Sequence, residues 1–404
     1  MQMELSNDEI KIKKLRLTLS LYLNYFVHGF GLIILAQNMV ALSQDWGTPL
    51  KVVSFVISGI GIGRLIAYLI TGPLADVLSR KLFIYIGMLS YLTFALGMVM
   101  HPNLIVAYGL AILAGIANSA LDAGTYTTLV EMNNGKGHGT VLIKAFMSLG
   151  EFVLPLIIAT IQQQAWWYGW SFIVMAAVII VNLILIAPLK FPQPNQVASA
   201  QQEFAQAESK TKRNLQTGLL LVYGYTSMAL MIWFTQWISL YAKESLNLGI
   251  TQSQLMMSLY SVGSITGVLV LFFLLQKVKR KLNLMLALNG GALLALVALL
   301  LIPNLLAIQV ASLLFGFCAA GGVMQTGLTV FMDLFPKHRG LVTGIYYFFG
   351  SIASFTVPLI TGLLSDQGIA TAFGGDLVIA AVGLVIIGLL RLTARKEGWN
   401  DWAR

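Results

Sequence analysis

The stretch GIGIGRLIAYLITGPLADVLSRK, from Gly59 to Lys81, contains an arginine, Arg64, in the middle of an apolar run. The run extends over about 52–76, and roughly 20 helical residues suffice to cross the hydrocarbon core of a bilayer. Turn-forming residues and clustered charges follow it. The stretch therefore predicts a membrane helix with a buried charge near its centre and a charged turn at its end.

Composition extends this prediction to the whole chain. Hydrophobic residues make up 57% of the 404 residues, charged residues only 10%, and the mean hydropathy is +0.80. Soluble proteins are about a quarter charged, and lipid offers no partner to bare peptide groups. We therefore predict an all-α integral membrane protein with twelve transmembrane helices, numbered 1 to 12. The apolar runs lie near 16–42, 52–76, 82–100, 104–131, 140–162, 167–189, 215–242, 252–276, 282–302, 304–333, 339–363 and 372–393.

Basic residues predict the orientation of the chain in the membrane. If the termini and the even-to-odd connections lie on one side, that side holds 21 of the 25 Lys and Arg residues. The positive-inside rule then places both termini in the cytoplasm, and we expect a bacterial cytoplasmic membrane. The net charge of +9 reflects this bias, so no nucleic-acid partner is expected. A cleaved signal peptide is not expected either, because the first apolar run is too long.

The chain divides into two sets of six helices. Residues 1–189 form the predicted first half, 190–214 a polar cytoplasmic linker, and 215–404 the second half. A shift of about 200 positions aligns Gly63 with Gly263, and it aligns the basic pair after helix 2 with a basic pair after helix 8. Parallel repeats of this kind are a sequence sign of transporters.

The connection between helices 2 and 3 carries a motif. It matches the pattern Gly-x-x-x-Asp-Arg/Lys-x-Gly-Arg/Lys-Arg/Lys at Gly72, Asp76, Arg80 and Lys81. Val77 replaces the first basic residue of the pattern and Ser79 replaces its second glycine. With the six-plus-six arrangement and the long central loop, the motif resembles that of the major facilitator superfamily.

The resemblance implies a fold and a mechanism. Helices 1, 4, 7 and 10 would line a central cavity, and the halves of a monomer would rock about it in alternating access. The segments LDAGTYTTLVE (121–131) and NYFVHGFG (24–31) resemble a little-characterised bacterial inner-membrane subgroup, for which quinate- or shikimate-like acids have been suggested as substrates.

The motif is also the predicted cytoplasmic gate. Asp76 could accept hydrogen bonds from the amides at a neighbouring helix N-terminus, where the helix dipole favours negative charge. Arg80 and Lys81 would anchor the turn at the headgroups, so that the cluster favours an outward-open state. The alternative is that these are ordinary charges beside the membrane that follow the positive-inside rule.

Arg64 must face the protein interior, because a charge at the centre of a span costs about 2.5 to 3.5 kcal/mol. The candidates for its neighbours are His28, Asp122, Lys144 and Glu151. Helices 3, 6, 9 and 12 are interpreted as containing no comparable charge, so every buried charge is expected in the first half. The alternative to a functional role is an Arg64–Asp122 or Lys144–Glu151 pair that only cancels charge.

Residues three or four apart share a helix face, and this spacing selects the candidate site. Arg64, with Lys144, is predicted to bind a substrate carboxylate, because a guanidinium fork matches that anion. Asp122 and Glu151 are the proton-coupling candidates, because burial makes a carboxyl group easier to protonate. The further substrate-binding candidates are Asn24, His28, Asn118, Tyr126, Tyr225, Trp233, Gln236, Gln325 and Tyr347.

The favoured function is proton-coupled symport of a small organic acid. The alternative is a drug or metabolite antiporter with protons, although helix 5 reads SLGEFVLPLI and lacks the Gly-Pro-rich antiporter signature. The arginine-rich loop signatures of sugar porters are also absent. An enzyme is not expected, because no nucleophile–base pair or phosphate loop appears. No metal and no cofactor are expected, since the four histidines are scattered and Cys318 is alone.

Overall fold

The computed structural model describes residues 7–74, 79–132, 138–191, 210–278, 280–335 and 339–396. These residues form helices, with no strand among them, and twelve helices are long and apolar enough to cross a membrane. This confirms the predicted fold class. We label the twelve α1 to α12. Their bounds are Asn7–Gln37, Leu50–Leu74, Arg80–Val99, Leu104–Met132, His138–Gln163, Gly169–Ile186, Lys210–Glu244, Ile250–Lys277, Lys281–Leu301, Leu305–Leu334, Arg339–Ser365 and Asp376–Lys396.

Two boundaries differ from the sequence prediction. The first run, expected over 16–42, is interrupted at Asn38, and a separate short helix, Met39–Asp45, comes next. The Asn38 side chain donates to the Ile34 carbonyl oxygen at 2.9 Å and to Ser171 Oγ at 3.0 Å, which fixes the break inside the protein. The last run likewise begins with a short helix, Ile369–Gly374, before α12.

The helix α10 is not a regular α-helix throughout. Its middle, Gly316–Val323, is a π-helical stretch with the sequence GFCAAGGV. This stretch packs closely against α8: a Cβ added to Gly316 would lie 1.9 Å from the Tyr260 carbonyl oxygen. The small residues thus let two backbones approach, and π-helical segments are frequent at functional sites.

The same close approach occurs in the first half, between α2 and α4. A Cβ added to Gly63 would lie 2.0 Å from the Ile112 carbonyl oxygen, and one added to Gly263 would lie 2.0 Å from the Leu313 carbonyl oxygen. Gly263 follows Gly63 by 200 residues and Leu313 follows Ile112 by 201. The packing of α2 on α4 therefore recurs as the packing of α8 on α10.

The bundle has two ends, which we name by their connections. The terminal end holds the start of α1 and the end of α12, and the distal end holds the connections 46–49, 100–103, 164–168, 245–249, 302–304 and 366–368. The halves meet mainly through α2 with α11 and α5 with α8. Ser54 donates to the Pro358 carbonyl oxygen at 2.5 Å, and Lys51 pairs with Asp366 at 2.8 Å.

Other hydrogen bonds between the halves also lie near the distal end or near the middle of the spans. Gln37 accepts from Ser239 at 2.9 Å near the distal end, and Ser148 bonds to Ser264 at 2.9 Å near the middle of the spans. Within the described ranges, the inter-half hydrogen bonds lie between the middle of the bundle and its distal end. The two halves are therefore closed against each other at the distal end.

At the terminal end, the described ion pairs join helices of one half. Arg80 Nη2 lies 3.3 Å from Glu131 Oε1, and Lys281 pairs with Asp333. Lys81 Nζ donates to the Ala187 carbonyl oxygen at 3.2 Å. Of the proposed gate residues, Asp76 lies outside the described residues, and the surroundings of Gly72 are not described either.

Candidate functional site

Asp122 lies at the centre of a cluster formed by helices of the first half. It lies on α4, and its two carboxyl oxygens accept from two tyrosine hydroxyls on other helices. Tyr25 of α1 donates to Oδ1, and Tyr68 of α2 donates to Oδ2 at 2.5 Å. Three helices that are distant in sequence are thus joined at one carboxyl group.

Arg64 lies beside this cluster, one helical turn from Tyr68. Its side chain is buried, and its guanidinium carbon lies 5.9 Å from the centre of the Tyr68 ring. Nη1 donates to Ser354 Oγ of α11 at 3.2 Å, and Nε is buried without a partner. Among the described residues, no carboxylate lies within 4.0 Å of Arg64. The arginine therefore contacts the second half but has no direct counter-ion.

His28, Asn118 and Tyr126 surround the same cluster. The His28 ring stacks on Tyr25 at 5.2 Å, and its Nδ1 is buried without a partner. Tyr91 donates to Asn118 Oδ1 at 2.9 Å. The Tyr126 ring meets Tyr25 edge-on at 5.9 Å, yet 39% of Tyr126 is exposed. Tyr126 is therefore a partly exposed aromatic group beside the cluster.

Glu151 and Lys144 form a second pair of candidates, on α5. Glu151 is 4% exposed, and its Oε2 is buried without a partner. Lys144 is half-buried. These two side chains do not approach within the 4.0 Å of an ion pair, and neither do Arg64 and Asp122. Neither of the pairs considered from the sequence is therefore a direct ion pair, although each cation lies close enough to its acid to interact electrostatically.

Three candidates lie away from the cluster. Asn24 accepts from Asn182 of α6 at 2.7 Å. Trp233 donates to the Ala372 carbonyl oxygen at 2.6 Å, beside the start of α12. Gln236 donates to Ser54 at 2.6 Å, in the closed distal end. Their described bonds belong to packing and to closure between the halves.

The remaining candidates of the second half are Tyr225, Gln325 and Tyr347. Tyr225 bonds to Thr356 of α11 at 2.9 Å, and Gln325 Oε1 is buried without a partner. Tyr347 is half-buried and lies close enough to Arg64 and Asp122 to interact with them electrostatically. Tyr347 is therefore the second-half candidate that the structure places nearest the cluster.

The structure adds Tyr25 and Tyr68, which the sequence analysis did not select. A signal was present for both. Tyr68 is four residues after Arg64, and Tyr25 is three residues before His28, so each shares a face with a selected residue. The candidate list includes other tyrosines, Tyr126, Tyr225 and Tyr347, but not the two whose hydroxyls contact Asp122.

The structure also corrects the expectation that every buried charge lies in the first half. Asp376, the first residue of α12, is 0% exposed, and both of its carboxyl oxygens are buried without a partner. The residue lies within the predicted run 372–393. Because the short helix Ile369–Gly374 precedes it, Asp376 lies inside the protein rather than at the end of a span.

Known proteins place this arrangement in a class. The chain is similar to the inner membrane transport protein YdiM of Escherichia coli (strain K12), with 37% identity over 94% of both chains. It is 35% identical to the MFS-type transporter YfkL of Bacillus subtilis (strain 168), over 93% of this chain and 96% of that one. These similarities define a multi-pass membrane transporter rather than an enzyme.

The family follows directly. The Major Facilitator Superfamily model matches residues 21–252 and 222–404, and the chain belongs to that family. Solved structures share the fold at low identity. A D-xylose–proton symporter superposes with a TM-score of 0.76 at 13% identity, over 93% of this chain and 97% of that chain. A mutant form of the nucleoside transporter NupG gives 0.76 at 14%, over 94% and 99%.

Proposed function

We propose that this secondary transporter carries a small carboxylate together with protons, in the direction of uptake. The observation that carries the proposal is Arg64, a buried guanidinium that donates to Ser354 and has no carboxylate within 4.0 Å among the described residues. No carboxylate therefore occupies the fork of the guanidinium directly, and such a fork matches a carboxylate. The proposed ligand of these donors is a substrate carboxylate.

The surroundings of Arg64 support an acid that carries a ring or hydroxyl groups. Tyr126 presents an exposed aromatic surface beside the cluster, and Tyr347 approaches it from the second half. Such groups can pack on a ring and donate to hydroxyls. A quinate- or shikimate-like acid has this chemistry, and it is the substrate class proposed here.

Proton coupling is assigned to the buried acids of the first half, Glu151 or Asp122. A carboxyl group in a low-dielectric site can take up a proton, and its charge state then depends on nearby cations. Arg64 and Lys144 are the cations of this region. When a substrate carboxylate neutralises Arg64, the proton affinity of a neighbouring acid changes, which couples the two events.

Orientation follows from the distribution of basic residues. We propose that both termini lie in the cytoplasm, so that the terminal end is cytoplasmic and the distal end faces outward. The structure then corresponds to an inward-facing state. One chain contains both halves of the pathway, and we propose that the monomer is the functional unit.

The test is uptake into proteoliposomes with an imposed pH gradient, using quinate, shikimate and benzoate. Arg64→Ala should abolish uptake, because the carboxylate loses its charge partner. Glu151→Gln should abolish accumulation driven by the gradient but keep counterflow exchange. Lys243→Ala, which removes a basic residue at the end of α7, is the control for a simple loss of charge. Normal uptake by Arg64→Ala contradicts the carboxylate site, and transport of lipophilic cations instead would favour the antiporter alternative.

A further inference from the structure

The half-buried Asp122 on α4 and the buried Glu151 on α5 differ in what surrounds their carboxyl oxygens. Asp122 has both oxygens occupied, by the hydroxyls of Tyr25 and Tyr68. Glu151 has an Oε2 that is buried without a partner. Hydroxyls that donate to a carboxylate favour its charged form, whereas a buried oxygen without a donor leaves that form unsolvated. Glu151 also faces Lys144, Ser148 and Tyr260. The difference between the two acids is therefore that both oxygens of Asp122 have a donor, whereas one buried oxygen of Glu151 has none.

We propose that Asp122 is a positioning residue that stays ionised through the transport cycle, and that of these two acids only Glu151 carries the coupled proton. The proposal rests on the proposed function, which left the choice between the two acids open. In it, Tyr25 and Tyr68 hold Asp122 in place, and Asp122 in turn holds Arg64 ready for the substrate.

The link from Asp122 to Arg64 runs through Tyr68. Arg64 and Tyr68 are one turn apart on α2, and the guanidinium carbon lies 5.9 Å from the ring centre. The hydroxyl of the same ring donates to Asp122 at 2.5 Å. Asp122 thus balances the charge of Arg64 without occupying its donors. A direct ion pair would instead have taken the fork that a substrate carboxylate needs.

The other groups that face Asp122 leave this balance intact. They lie on α1, α2, α3 and α11 and on α4 itself. Among the described residues of this set, Arg64 is the one with a full charge, because tyrosines near neutral pH are uncharged donors. The groups that interact with Asp122 are Tyr25, Arg64, Tyr68, Tyr91, Tyr126 and Tyr347. A negative Asp122 and a positive Arg64 therefore neutralise each other within one cluster.

Infrared spectroscopy of the purified protein tests the charge states without any substrate. The carbonyl stretch of a protonated carboxyl group is separate from the carboxylate bands, so each buried acid can be followed across the neutral pH range. The variants are Asp122→Asn, Glu151→Gln and Tyr25→Phe combined with Tyr68→Phe. Asp376→Asn removes the contribution of the buried acid on α12.

The expected result is that Asp122→Asn leaves the protonated-carboxyl bands of the wild type unchanged, whereas Glu151→Gln removes one that titrates. The double tyrosine variant should gain a band that disappears when Asp122→Asn is added. Loss of a wild-type band in Asp122→Asn would overturn the proposal, and so would the absence of a new band in the double variant. Because both tyrosine changes only remove hydroxyls, the second result does not depend on whether the asparagine variant folds well.

Transport kinetics provide a second readout. Tyr68→Phe and Asp122→Asn should raise KM for the transported acid about tenfold, as expected for loss of one good hydrogen bond, with kcat and the pH profile retained. Tyr168→Phe is the matched control, because it removes a tyrosine–aspartate bond of 2.8 Å, to Asp45, at the distal end. A flattened pH profile in Asp122→Asn would assign the proton to Asp122 and overturn the proposal. If the wild type transports none of the acids, the proposed function fails, while the infrared result still decides the charge states.

Discussion

The two halves of the molecule have the same backbone packing but carry different side chains at equivalent positions. Gly63 packs on the α4 backbone and Gly263 packs on the α10 backbone in the same way. One residue further along, the first half carries Arg64 and the second half carries Ser264. At the equivalent of Glu151 the second half has Ser351, whose hydroxyl donates to the Tyr347 carbonyl oxygen at 2.9 Å in its own helix.

This difference suggests distinct roles for the two halves, although their folds are alike. The charged residues around Arg64 belong to one half, and in the proposed mechanism they hold the substrate and the proton while that half moves as a unit. The second half meets them with neutral hydroxyls, such as Ser354 at 3.2 Å from Arg64 and Ser264 at 2.9 Å from Ser148. Neutral contacts can break without stranding a charge in a low-dielectric interior, which suits an interface that must open.

Exchanging Arg64 and Ser264 tests this inequality most severely and should have the largest effect. The double variant Arg64→Ser with Ser264→Arg keeps the composition and the net charge. We expect no carboxylate uptake, because Ser264 faces Ser148 rather than a tyrosine-bound carboxylate. Uptake assayed in proteoliposomes measures the effect. Uptake by this double variant would mean that the halves are interchangeable and that the Asp122 cluster has no special role.

The shared backbone predicts equal losses of stability in the two halves. Gly63→Ala and Gly263→Ala should each lower the free energy of unfolding by about 1 to 3 kcal/mol, the usual cost of overpacking. Gly109 is the matched control, because a Cβ there would meet nothing within 4 Å. Thermal unfolding in detergent measures all three. A large loss in one half only would contradict the repeated packing.

The smallest effect is expected at the distal end. Lys51 and Asp366 pair across the halves, and both side chains are well exposed, at 36% and 48%. Exposed pairs contribute about 0 to 1 kcal/mol, so Lys51→Ala should change the population of distal-closed molecules less than about fivefold. Spin labels at Gln44 and Gln367, in a Cys318→Ala background, report the distance between the halves. The difference in this population between Lys51→Ala and the wild type should vanish at high salt. A difference that persisted at high salt would show that the contact is not electrostatic.

The sequence predicts the fold well because each span is a local property. Length and apolar composition define the twelve helices, and the exceptions at Asn38 and before α12 depend on tertiary contacts. Neither the hydrogen bonds of Asn38 with Ser171 nor the depth of Asp376 can be read from a run of apolar residues.

The site is only partly predictable, for a geometric reason. Successive residues on a helix are about 100° apart, so Asn24 and Tyr25 face different neighbours. Asn24 bonds to α6, whereas Tyr25 reaches Asp122. Helical spacing finds which residues share a face, as for Arg64 and Tyr68. It does not tell which face looks into the cavity, and so Trp233 and Gln236 were selected although their bonds lie elsewhere.

We propose above all that Arg64 in the first half binds the carboxylate of the substrate. Thermal stabilisation of the purified protein by quinate, shikimate and benzoate tests it most directly, because a ligand at about 100 times its Kd raises stability by ~2.7 kcal/mol. We predict that at least one acid stabilises the wild type and the Ser264→Ala variant but not Arg64→Ala. Equal stabilisation of Arg64→Ala and the wild type would contradict the claim.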